Sequence, residues 1–178
     1  MKKSLFSWLS VVPLGLLSGL SAVAQHDHSA GAHAGHNPQP ALTSSVPDSQ
    51  LAFEKIVDEY YRIHESLAND TMQGVDQAAR KIVSLASGVQ QKGVVKDPDF
   101  AAISRAATAL QGKNLEQTRH QFFELSKSII AELKRNPSIR KAAFAYKCSM
   151  ANKSWVQGQK EIRNPYYGKS MQKCGEPL

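Results

Sequence analysis

Cysteine is scarce: Cys148 and Cys174 are the two in 178 residues. Two thiols exclude a disulfide-dense scaffold. Catalytic signatures are missing too. There is no nucleophile elbow, phosphate loop, His-Glu-x-x-His pair or kinase-type set. Glu-x-x-His motifs are absent, which removes a di-metal carboxylate bundle. We therefore expect a protein that is not an enzyme. Acidic residues are outnumbered, 15 against 22 basic, so the chain carries +7. Its 21% charged and 42% hydrophobic fractions are an ordinary globular balance and exclude a chain disordered throughout. The length allows one domain and little more.

One apolar run stands out, Leu5 to Leu20, behind Lys2 and Lys3 and ending in Ala22-Val23-Ala24. That is a basic n-region, an h-region and an A-x-A site, so residues 1–24 read as a cleaved signal peptide. Pro13 and Gly15 interrupt the run, which is short for a spanning helix. No cysteine follows the cleavage site, so no lipid anchor is expected. The mature chain should be exported, periplasmic and soluble, without stable membrane insertion. Loss of Lys2 and Lys3 leaves +5. Nucleic acid is not an expected partner there, and the basic balance points to acidic surfaces or anions.

Residues 25–47 read as a disordered leader rich in Gly, Ala, Pro, Ser and His. His26, His28, His33 and His36 fall within eleven residues. Imidazole suits Cu(II), zinc and nickel, so this tract is a secondary, low-affinity metal site. After cleavage His26 would be second, where a free amine, a backbone amide and an imidazole chelate Cu(II). The competing reading is a solvated linker.

Residues 48–178 form the domain. Phe53, Ile56, Val57, Tyr60, His64 and Leu67 recur at i, i+3, i+4, i+7 and predict a helix over 48–68. Asp70-Thr71-Met72-Gln73 has capping-box spacing. A second stripe runs from Val75 to Val89, with Gly93 as its natural C′ residue. Asp97-Pro98 predicts the next start, and Phe100, Ile103, Ala107 and Leu110 the third stripe, closed by Gly112. Asn114 and Gln117 suggest a capped fourth helix, carrying Leu115, Phe122, Leu125, Ile129 and Leu133 and stopping before Pro137. The expected fold is all-α: an antiparallel four-helix bundle with an irregular C-terminal segment, residues 138–178, packed on it. His64 should be a core histidine and His120 a surface one.

That segment holds both cysteines, two of the four methionines, Trp155, three tyrosines and eight Lys/Arg against two acids. Cys148-Ser149-Met150 and Met171-Gln172-Lys173-Cys174 each place a thiol and a thioether close together. Soft sulfur ligands select Cu(I) or Ag(I), whereas zinc prefers Cys with His. Lys147 and Lys173 would favour the thiolates. Two alternatives stand beside this. Cys148 and Cys174 form a structural disulfide closing a loop of about 27 residues, a gain of about 3–4 kcal/mol in the chain-entropy model. The methionines then only fill gaps. A redox pair is the weakest reading, since Cys-x-x-Cys is lacking. Trp155 and Tyr166-Tyr167 read as packing that seats the tail.

Tyr146-Lys147-Cys148-Ser149-Met150, Trp155, Asn164-Pro165-Tyr166-Tyr167-Gly168 and Met171-Gln172-Lys173-Cys174-Gly175-Glu176 resemble the C-terminal signature of an uncharacterised periplasmic domain family. Members occur alone or appended to copper/silver efflux adaptor proteins and heavy-metal-associated domains. Tyr60-Tyr61, Leu67 and Asp70 resemble the family's first helix, and Arg119, Phe122, Leu125 and Ser126 its late helix. The resemblance spans roughly residues 50–176. Ser149 departs from a Cys-Pro-Met pattern, which loosens the local turn. The resemblance implies soft-metal handling. The leading expectation is an exported Cu(I)/Ag(I)-binding protein for copper sequestration or delivery, using Cys148, Cys174, Met150 and Met171, with an efflux adaptor or another periplasmic metalloprotein as partner. The alternative is a non-metal interaction module with a Cys148–Cys174 disulfide, docking an envelope partner.

Overall fold

The computed structural model describes residues 48–91, 99–137, 139 and 142–178. The signal-peptide and histidine-leader expectations, Gly93 and Asp97-Pro98 lie outside those residues. Four helices come first: α1 (Asp48–Ala68), α2 (Val75–Gln91), α3 (Phe100–Thr108) and α4 (Leu115–Arg135). Each buries the stripe its periodicity predicts. Phe53, Ile56, Val57, Tyr60, Ile63 and Leu67 of α1, Ile82 of α2, Ile103 of α3 and Phe122, Leu125 and Ile129 of α4 are all fully buried. Among the described residues, no helix is long and apolar enough to cross a membrane.

Local chemistry sets the helix ends. Asn114 accepts from the Gln117 backbone N–H while the Gln117 side chain accepts from the Asn114 N–H, a full capping box at α4. The α3 cap is Asp99, whose carboxylate accepts from the Ala102 N–H at 2.9 Å. Asp70 does not cap α2, which starts five positions later at Val75. It sits instead at φ +59, with its carboxylate turned to Arg119 and to the Lys169 N–H.

The all-α, irregular-tail expectation is wrong. The C-terminal segment builds a three-stranded antiparallel sheet in the order β2-β1-β3: β1 (Phe144–Cys148), β2 (Lys153–Gln157) and β3 (Glu176–Pro177). The register pairs Tyr146 with Trp155 and Cys148 with Lys153. Tyr146 and Cys148 alternate inward along β1, the period-2 pattern of a half-buried strand. Asn152, at φ +49, turns the hairpin. The fold is therefore helices with a small sheet.

A buried relay joins sheet to helices. Ser126 of α4 donates back to the Phe122 carbonyl, so the Tyr60 hydroxyl of α1 donates to Ser126 at 2.8 Å and accepts from the Val156 N–H of β2 at 3.2 Å. Tyr60 and Phe122 stack with centroids 4.9 Å apart. Burial raises the Tyr60 pKa well above that of a free phenol, so the hydroxyl keeps its proton.

Candidate functional site

β1 ends at Cys148, and the chain returns to it through a loop that three side chains organise. Buried Gln157 accepts from the Trp155 indole N–H at 2.9 Å and from the Arg163 N–H at 3.1 Å, and donates to the Gln159 and Glu161 carbonyls. Asn164, fully buried, caps the turn that follows by accepting from the Tyr166 N–H at 2.8 Å. Tyr166 passes its hydroxyl to the Ser154 carbonyl at 2.6 Å. Trp155 packs edge-on to Tyr166 and leaves so little room at Gly175 that a Cβ there would meet its ring at 2.7 Å. These contacts bear out the seating role of Trp155 and Tyr166.

The short 3-10 helix Gly168–Met171 is pinned to the bundle. The Arg119 guanidinium donates to the Pro165 carbonyl at 2.9 Å, to the Leu67 carbonyl at 2.7 Å and to Asp70. Gly168 has φ +55, and a Cβ on it would collide with the Asp70 carboxylate and the Arg119 guanidinium. Glycine is required there on both counts.

The result brings the Cys148 and Cys174 sulfurs to 2.8 Å across 26 positions of sequence. Cys148 is fully buried and Cys174 partly exposed. Burial pushes the Cys148 thiol up, but its contact with Cys174, the Ala151 N–H, the Asn164 amide and the Met150 N–H together bring it below an ordinary thiol. The Cys174 thiol goes the other way, raised by its hydrogen bond to Cys148, then by burial and by the charges of Cys148 and Glu176. Of the two thiols, Cys148 is therefore the one that gives up its proton more readily.

The thioethers lie close in sequence to this pair. Met150 stands in the β1–β2 turn with 67% of its surface exposed, so it does not fill a core gap. Met171 ends the 3-10 helix, half-buried, and its carbonyl accepts from the Cys174 N–H at 3.0 Å. Among the described residues no three His, Cys, Asp or Glu side chains converge, so donors beyond the two thiols would have to be of another kind. His26, His28, His33 and His36 lie outside the described residues. His64 is buried at 1% exposure, its Nε2–H donating to the Arg163 carbonyl at 2.7 Å, and His120 is exposed; neither joins the site.

Sequence reasoning missed Gln157 and Asn164. Asn164 stood in the Asn164-Pro165-Tyr166-Tyr167-Gly168 signature without a role of its own, and an Asn-Pro pair is a turn signal; for Gln157 there was none. No family model, curated protein or solved structure matches the chain.

Proposed function

We propose that this is an exported protein that binds Cu(I) or Ag(I) through Cys148 and Cys174, with Met150 and Met171 as further soft donors, and that it sequesters or delivers copper in the periplasm. The observation that carries this reading is the approach of the Cys148 and Cys174 sulfurs to 2.8 Å across the fold, in surroundings that lower the Cys148 pKa. A thiolate is the form that ligates metal, and soft sulfur donors select monovalent copper and silver. Met150, two positions from Cys148 in sequence and 67% exposed, is accessible to such an ion. The histidines of residues 25–47 serve as a weaker Cu(II) capture tract. An efflux adaptor or another periplasmic metalloprotein is the proposed exchange partner, and lysines such as Lys169 and Lys173 beside the site suit an acidic one.

The same approach of the sulfurs also favours the second reading, a Cys148–Cys174 disulfide in an interaction module. Competition against a Cu(I) chelator separates them. Reduced wild type should hold one Cu(I) against the chelator, and Cys148→Ser and Cys174→Ser should each abolish this. A reduced wild type without an avid Cu(I) site, and cysteine variants whose only change is a lower Tm, would establish the disulfide.

A further inference from the structure

The Asn164 side chain holds the main chain of Cys174, whose sulfur lies 2.8 Å from that of Cys148. Its Nδ2 donates to the Cys174 carbonyl at 2.7 Å. Its Oδ1 accepts from the Tyr166 N–H at 2.8 Å and the Tyr167 N–H at 3.3 Å. Its backbone N–H donates to the Gln172 carbonyl at 2.8 Å, and its carbonyl accepts from the Gly168 N–H. An amide offers two donor hydrogens and an acceptor oxygen with two lone pairs, and both ends are engaged here. Capping the turn at Tyr166 and Tyr167 needs only the oxygen, which Asp or Ser would also provide. Turn formation therefore leaves the donor end unexplained, and that end is aimed at the cysteines from a fully buried position.

We propose that Asn164 is the positioning residue of the soft-metal site, its amide N–H groups fixing the Cys174 main chain against the Cys148 sulfur. This rests on the Cu(I)/Ag(I) reading above. The amide spans the gap between β1 and the 171–174 turn, two pieces of chain with no strand pairing to each other at the sulfurs. Without its donors the spacing of the two sulfurs has no side-chain support from this direction, and the Cys174 carbonyl loses a buried partner. Groups that orient a ligand residue in this way alter metal affinity by about 10–100-fold when changed.

Asn164→Asp and Asn164→Ser both retain an acceptor for the turn and lose the amide donors. The experiment compares reduced wild type, Cys148→Ser and these two variants by Cu(I)-chelator competition, with thermal melting of each apo protein. The expected result is an affinity about 10–100-fold below wild type in both variants at a temperature where both are folded. Wild-type affinity in both variants, with Tm lowered or not, overturns the inference and leaves the Cu(I) reading standing. Absence of avid Cu(I) binding in the wild type, or its survival in Cys148→Ser, sinks the reading itself and the inference with it. Should both variants fail to fold, the wild type still decides. Titration of 15N-labelled protein with Ag(I) should shift the Asn164 side-chain amide resonances and slow their solvent exchange. Resonances that do not respond to saturating Ag(I) overturn the proposal.

Discussion

Asp70 and Arg119 meet at 2.5 Å across 49 positions, and the Lys169 N–H closes on the second carboxylate oxygen at 3.1 Å. This single ion pair ties the end of α1, the start of α4 and the tail that carries Met171 and Cys174. The side chain of Arg119 is 16% exposed, so its bonds to the Leu67 and Pro165 carbonyls are shielded from water. Arg119→Ala should cost about 1–3 kcal/mol, since buried carbonyls lose their donor. Gly168→Ala should cost more than about 1 kcal/mol, because the residue has φ +55 and no space for a Cβ. Urea unfolding measures both, and changes within about 0.5 kcal/mol would show that the tail is held elsewhere.

The same carboxylate gives the protein an acid limit. The hydrogen bond from Arg119, then that from the Lys169 N–H, holds the Asp70 pKa below the usual carboxylate value. A depressed carboxylate contributes stability above its unfolded pKa and loses it as pH falls through the folded one. Asp70→Asn should therefore lower Tm at pH 7 and flatten the fall in Tm below about pH 4, the region of an unperturbed carboxylate. Parallel curves for variant and wild type would remove Asp70 from the account.

His64 acts at a higher pH. Burial pushes its pKa down to about 4, opposed by its bond to the Arg163 carbonyl and reinforced by the Arg163 charge. The unfolded ring titrates near about 6.5 and so takes up its proton first as pH falls. Stability is full above that value and drains until the folded ring protonates near pH 4. The loss should be on the order of 3 kcal/mol. Denaturant unfolding at steps between pH 7.5 and 4 measures it, and His64→Gln should show a shallower slope over this interval. An equal slope in both proteins would assign the pH dependence to other groups.

The helical half of the fold was readable because it is periodic. Four stripes and the Asn114/Gln117 box placed α1 to α4 without tertiary information. The sheet was not readable with the same ease. β1 and β2 are five residues each, too short for a period of two to stand out, and Lys147 and Lys153 dilute their apolar content. Alternation of Phe144, Tyr146 and Cys148 was the available signal. Pairing of Cys148 with Cys174 depends on that sheet and on Asn164, a buried amide that sequence pattern treats as an ordinary turn residue. Asp70 misled for the same reason. It has the spacing of a cap, but its partners are 49 and 99 positions away.

Leu125 tests the helical core. It is fully buried on α4 and has no polar atoms to satisfy. Leu125→Ala should cost about 2–5 kcal/mol. A change within about 0.5 kcal/mol would mean that α4 does not pack through this face.

The thioethers decide what the cysteine pair is for. Met150 is 67% exposed, so Met150→Leu should change stability by no more than about 0.5 kcal/mol. Met171 is half-buried, and Met171→Leu, nearly equal in volume, should cost under about 1.5 kcal/mol. Neither substitution alters the thiols, the Asn164 amide or the sheet register. If the sulfurs complete a soft-metal site, Cu(I) affinity should fall in each variant, and further in the double variant, while Tm hardly moves. If Cys148 and Cys174 alone hold the ion, affinity should be unchanged in all three. If the pair is a structural disulfide, the reduced proteins should lack avid Cu(I) binding whatever stands at 150 and 171. Chelator competition on the reduced wild type and the three variants, with Tm measured on the same samples, distinguishes these outcomes because the leucine side chain keeps the packing and removes only the donor atom.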